Sequence, residues 1–237
     1  MTEVGKVIGT SKDARPLEFW VGISEGQSLQ LDDVVAVTTV IQGDREVTLY
    51  GIVDDVRASY EGSKFDSDVF LAVDGILPVN ISTVAHVSVT RVEDSNGKEV
   101  FVPPLPGQTV NLAEGSVRDR ALFFDTMQRK FPVGISRDGD VLWGNLSFLD
   151  GSQGAHVSIS GVSGVATKTS YALFMLYSLF NSRSLGKDQI NSKAIIFNVK
   201  GRDLMFLDQQ NAKLSKVESE KYEVKLKSIT KTAIFKL

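Results

Sequence analysis

Over the first hundred residues, short β-branched apolar runs recur at 5–8, 17–23, 33–40, 46–56, 69–73, 85–92 and 99–102, parted by polar stretches. Short runs rich in β-branched residues and bounded by turns read as strands. Turn signals separate the runs: Gln42-Gly43-Asp44, Asp74-Gly75 and Ser95-Asn96-Gly97-Lys98. The last reads as a hairpin, because Asn-Gly tolerates the positive φ angles that tight turns require. Many short strands with regular turns predict a small barrel or sandwich. Three prolines and a glycine then break the pattern at Pro103-Pro104-Leu105-Pro106-Gly107. Proline donates no amide hydrogen and holds its predecessor extended, so a domain boundary is expected there, giving domains 1–106 and 107–237.

Beyond the prolines the period changes. Val117, Ala121, Phe124 and Met127 fall on one face of an amphipathic helix, and 131–135 with 141–143 predicts a hairpin around Asp138-Gly139. From 155 onward the order is strand, loop, helix, strand. Residues 155–160 and 194–199 are the strands, and 170–181 is the helix. Leu173, Phe174, Leu176, Tyr177 and Phe180 cover most of that helix's circumference, which predicts that it is well buried. Such a unit implies a parallel strand pair with a right-handed crossover. From Lys213 the chain is rich in lysine and glutamate, and 224–235 alternates weakly; helix, edge strand and frayed tail all remain open for it. No internal repeat is present.

Composition narrows the classes. A chain of 237 residues, 42% hydrophobic, supports one large or two modest domains. A formal net charge of −3 argues against a wholesale nucleic-acid or membrane-surface binder, although a local basic patch can hide beneath the average. The absence of cysteine excludes disulfides, cysteine nucleophiles and thiolate zinc sites. The start, Met1-Thr2-Glu3-Val4-Gly5-Lys6, lacks the apolar core of a secretory signal. The longest apolar run, 171–180, is about half a membrane span. A soluble, cytoplasmic protein is expected.

The candidate chemistry sits between the strand at 155–160 and the helix that follows. The intervening loop reads Gly161-Val162-Ser163-Gly164-Val165-Ala166-Thr167-Lys168-Thr169-Ser170. Lysine followed by threonine at the start of a helix, behind a glycine-bearing turn, is the layout of a phosphate-binding P-loop. In that motif backbone amides and the helix dipole face a polyphosphate, the lysine bridges its terminal phosphates, and the hydroxyl ligates magnesium. Lys168 and Thr169 are the types those two roles need, and Gly161 and Gly164 free the backbone. The loop departs from G-x-x-x-x-G-K-[ST] twice: Gly161 lies seven positions before Lys168, and Thr167 stands at the second glycine. The competing reading is an ordinary turn, capped by Thr167 or Thr169, with Lys168 solvated.

The order of these features resembles the HerA-type ATPases of the HerA/FtsK branch of P-loop NTPases. Val4-Gly5-Lys6-Val7-Ile8-Gly9, Tyr50-Gly51-Ile52-Val53 and the proline-rich exit resemble that family's N-terminal HAS barrel. Phe131-Pro132-Val133-Gly134-Ile135 is similar to the strand ahead of its P-loop, and His156-Val157-Ser158-Ile159-Ser160-Gly161 to the strand entering it. Asn198-Val199-Lys200-Gly201 resembles the segment after its second core strand, where aspartate is more usual. The resemblance covers the chain to about Asp208. It implies a β plus α/β fold, a HAS-type barrel followed by an incomplete RecA-like ATPase domain. It also implies a hexameric ring, ATP and magnesium as cofactors, movement on DNA, and a nuclease or other effector as partner. The nucleotide-binding set carried over is Gly161, Gly164, Thr167, Lys168, Thr169 and Ser170, with Thr169 on magnesium.

Hydrolysis needs further parts. The apolar strand at 194–197 ends at Asn198 rather than an acid, and Asp203 and Asp208 read as solvated loop acids. Arg183 and Arg202 are arginine fingers in name only. Nucleotide binding without turnover by this chain alone is therefore expected; the alternative is a non-catalytic assembly or effector-binding module with a relic P-loop. His86 and His156 read as strand residues, Trp20 and Trp143 as packing, and Asp54-Asp55 as a solvated strand end.

Overall fold

Six strands of the N-terminal half close on themselves. In the computed structural model they are β1 (Glu3–Ile8), β2 (Glu18–Ile23), β3 (Val34–Ile41), β4 (Arg45–Tyr60), β5 (Ile81–Asp94) and β6 (Thr109–Leu112). The order around the barrel is β1-β2-β5-β4-β3-β6, every pair is antiparallel, and β6 returns to β1. Closure leaves no unpaired sheet edge. Alternate residues fill the interior: Val7, Phe19, Val21, Val35, Val37, Leu49, Val87 and Val110 are buried together. The structure describes residues 2–10, 12–61, 63, 65–162, 167–190, 192–197, 223–227 and 232–236.

β3 is buried on both faces, which explains its unbroken Val-Val-Ala-Val run. Val35 and Val37 point inward, while Val34 and Ala36 lie with Tyr50, Ala113 and Ala121 beneath a helix, α2 (Gly115–Ala121). The first compact unit therefore extends well beyond the prolines, covering Met1–Thr126; the second covers Met127–Leu237. Three expectations are corrected. The run at 69–73 is not a strand but a helix, α1 (Asp68–Val73). It lies past the last β4–β5 pair, Tyr60↔Ile81, and Asp68 in its first turn accepts the Phe65 amide at 3.1 Å. The run at 99–102 makes only the Glu93↔Glu99 bridge before the prolines stop it. The helix through Met127 is broken, because Phe123 turns left-handed at φ 58° and Phe124–Thr126 continue as a 3-10 turn.

In the second unit β7 (Lys130–Ile135) and β8 (Val141–Asn145) form the expected hairpin. A helix, α3 (Thr167–Asn181), packs Phe180 with Phe131, Leu146 and Leu185. The last strands, β9 (Ala194–Phe197), β10 (Glu223–Lys227) and β11 (Thr232–Lys236), make an antiparallel sheet in the order β10-β11-β9. The expected parallel pair is thereby corrected. β11 takes an edge of β9 with Thr232 opposite Phe197, and residues 155–160 join no strand, leaving His156 and Val157 exposed. Burial of α3 is corrected as well: Ser178 and Phe180 are buried, but Tyr171, Phe174 and Tyr177 are exposed. What stands is a mixed, β-rich fold with a closed six-stranded barrel and few helices.

Two register shifts shape the long β4–β5 ribbon, one between Tyr50 and Gly51 and one between Val53 and Asp55. They leave Thr90 and Asp54 without opposite partners, and a bulge residue can aim its side chain out of register. The Thr90 hydroxyl donates to the Ala121 carbonyl at 2.8 Å, holding the end of α2. Arg91 beside it donates to Glu93 (2.7 Å) and to both Asp125 oxygens (2.9 and 3.0 Å). Arg120 approaches the other Glu93 oxygen at 2.5 Å as an ion pair, off the direction of a well-aligned hydrogen bond. The Glu93 side chain is only 4% exposed, so its charge is sustained by two guanidinium groups. Glu93→Gln leaves both guanidinium groups facing a neutral amide, and urea unfolding should register a loss of about 3 kcal/mol. A change within about 0.5 kcal/mol, the range of an ordinary surface substitution, would show that the lattice does not hold α2 to the barrel.

Candidate functional site

The helix that follows the candidate loop, α3, is positioned by the hairpin beneath it. Three hydroxyls of α3 and the turn after it donate to the open side of β7: Tyr171 to the Val133 carbonyl at 3.0 Å, Ser178 to that of Pro132, and Ser184 to that of Lys130 at 2.8 Å. These bonds satisfy carbonyls of a strand that, among the described residues, pairs only with β8, and they fix the helix lengthwise on it. α3 starts at Thr167, three residues earlier than the apolar pattern implies. Lys168 is thus the second helical residue, and its ammonium folds back to the carbonyls of Gly161 (2.8 Å) and Val162 (3.3 Å).

That geometry places a cation at the end of a helix whose first-turn amides lack intrahelical acceptors. A polyphosphate there would meet amide hydrogens, the positive end of the helix dipole and an ammonium at once. Thr169 and Ser170 are exposed on the first turn. Gly161 is described and exposed; Gly164 and the Thr167 side chain lie outside the described residues. So do Asn198, Arg202, Asp203 and Asp208. Arg183 is exposed in a left-handed conformation, φ 61°. Among the described residues no group of three or more His, Asp or Glu side chains is placed to hold a metal, and no helix is long and apolar enough to cross a membrane.

A second polar cluster lies on the barrel wall, where Asp54 is exposed, as expected, but stands within β4 and not at a strand end. The β4 bulge turns its carboxylate onto two β5 side chains: His86 Nδ1 at 2.5 Å and the Ser88 hydroxyl at 2.6 Å. Glu18 stands 3.7 Å from the other His86 nitrogen. The Trp20 ring lies 4.9 Å from the His86 ring, with the Lys12 ammonium 3.2 Å from its centroid and Arg57 at 5.0 Å. Serine, histidine and aspartate are all present, but the hydroxyl donates to the carboxylate instead of to the imidazole. The imidazole is not placed to take the serine proton, so the cluster is not a nucleophilic triad. It ties the three strands β2, β5 and β4 together on the outside. Its sequence signal was spacing: His86 and Ser88 share one face of β5, while the bulge that brings Asp54 to them has no local signature.

Charge is the other feature that the whole-chain average conceals. Residues 1–126 carry 20 acidic and 10 basic side chains, a formal −10, whereas 127–237 carry 9 and 16, a formal +7. Counting charge by unit would have exposed this from the sequence alone. No family model matches the chain, and no curated protein matches it.

Burial pushes the Asp54 carboxyl up, but the hydrogen bonds from Ser88 and His86 outweigh it and hold its pKa below the ordinary aspartate value. A depressed native pKa supplies stability above the unfolded-state value and loses it as pH falls through the native one. Asp54→Asn should therefore melt below the parent at pH near 5, and the gap should close towards about pH 3. Thermal unfolding of both proteins across that range checks the sign; a gap that widens on acidification would contradict it.

Proposed function

We propose that this chain is a nucleotide-binding relative of the HerA-type ATPases, using the loop 161–170 to hold the phosphates of Mg-ATP. In this reading Lys168 contacts the terminal phosphates, Thr169 ligates magnesium, and Gly161, Gly164, Thr167 and Ser170 present backbone and hydroxyl groups around them. The observation that carries the proposal is the folded-back Lys168 ammonium at the amino end of α3, held by carbonyls of its own loop. An ammonium whose partners among the described residues are neutral carbonyls gains by exchanging them for anionic oxygens, since charge-assisted bonds are about twice as strong. The closed N-terminal barrel supports the same reading, being the element that the family carries ahead of its ATPase domain.

Turnover is not part of the proposal for this chain alone. It remains a binder, working in a ring with DNA and an effector as the family does. The alternative, an assembly module with a relic loop, is favoured by one observation: the second unit's described strands are antiparallel, unlike a RecA-type sheet.

Titration calorimetry of the purified chain with Mg-ATP separates the two. Binding that weakens at least tenfold in Lys168→Ala, or about 1.4 kcal/mol, is the expected result. Equal affinity in both proteins, or none in either, would leave the relic-loop reading.

A further inference from the structure

The β4–β5 ribbon does not end at the barrel wall. Between the two strands residues 61, 63 and 65–80 form an arm, and α1 within it has no buried residue although four of its six side chains are large and apolar. Phe65, Phe70, Val73 and Ile76 are each about 70% exposed, at 71, 73, 71 and 69%. Beside them is an open cavity of about 480 Å³ whose lining includes Tyr60, Phe65, Asp66, Val69 and Ile81. A contiguous exposed apolar patch of this kind is the form of an interaction surface. The charges of the arm are Glu61, Asp66, Asp68 and Asp74 against Lys64.

Electrostatics select the occupant. The arm is acidic on an acidic unit, so arm-to-arm or arm-to-barrel contact between copies would set like charges together. The same chain supplies the complement, for residues 127–237 are formally +7 and expose Phe174, Tyr177, Ile195 and Phe197. We infer that the arm docks onto the 127–237 unit of a second copy of this chain. One copy then donates an arm and the next accepts it, a heterologous contact that propagates as a ring or an open chain. This association is independent of nucleotide, so it stands or falls apart from the binding loop.

The cysteine-free chain allows a direct test. A full chain bearing Val73→Cys is coupled to a maleimide-benzophenone, mixed with an equal amount of its ¹⁵N-labelled counterpart at ~50 mM salt, and irradiated. Cross-links joining labelled to unlabelled chains, landing on peptides of 127–237 and lost at ~1 M salt, are expected. Cross-links confined to one copy, cross-links to peptides of 1–126, or none at all would overturn the inference. Sedimentation gives the second arm: the parent should form dimers and larger species at low salt. The double variant Phe70→Ser, Asp74→Lys should sediment as monomer with an unchanged melting temperature. Assembly that survives the double variant would also overturn it.

Discussion

The pairing of β4 with β5 is the constraint on which the first unit depends. It is the longest ladder among the described residues, running from Val47↔Asp94 to Tyr60↔Ile81. Its first half is barrel wall, contributing Val47, Leu49, Val53, Ala85, Val87 and Val92 to the interior. Its second half leaves the barrel and carries the arm. The register shifts are what let one ribbon do both, because a bulge increases local twist and bends a strand. Gly51 lies beside the first of them, packed so closely that an added Cβ would press on Val87 and on the Ser88 carbonyl oxygen at 2.8 Å. The same shifts turn Thr90 towards α2 and Asp54 towards His86, so backbone geometry and polar chemistry have a common origin.

The ion lattice extends that ribbon's influence along the chain. Arg91 and Glu93 stand on β5 and meet Arg120 and Asp125 from the segment after β6. Burial works against the Arg91 charge, but Asp125 and Glu93 reverse its effect and raise the guanidinium pKa, as expected of a desolvated cation between two carboxylates. Segment 113–126 is thereby an outer layer of the barrel. The acidity of this unit and the basicity of the next then become properties of two separate bodies. An average of −3 across the chain describes neither.

Much of the barrel was legible in the sequence because its strands are short β-branched runs parted by turn signals, among them 17–23, 33–40 and 85–92. β6 was not, since Thr109–Leu112 is four residues long and offers too few alternations to register. The 69–73 run was read as a strand on its apolar content, and helix formed where no third strand was available to pair with it. In the second unit the period of α3 was visible but its burial was not. Apolar residues around a helix state what could be covered, and the packing partners decide what is. The candidate loop was legible as lysine, threonine and spacing. The fold-back of Lys168 onto Gly161 and Val162 was not, because side-chain direction is set by backbone that no pattern of residue types specifies. The Asp54–His86–Ser88 contact joins positions more than thirty residues apart through a bulge, which leaves no mark in the local sequence.

The central claim is that the first unit is a barrel completed by β6 and its outer helix, ending near Thr126 and not at the prolines. Fragments 1–126 and 1–106, compared by circular dichroism during urea unfolding, test it most directly. The account predicts one cooperative transition for 1–126. It predicts no folded baseline for 1–106, which lacks the strand that joins β1 to β3. A 1–106 fragment as stable as 1–126 would contradict it.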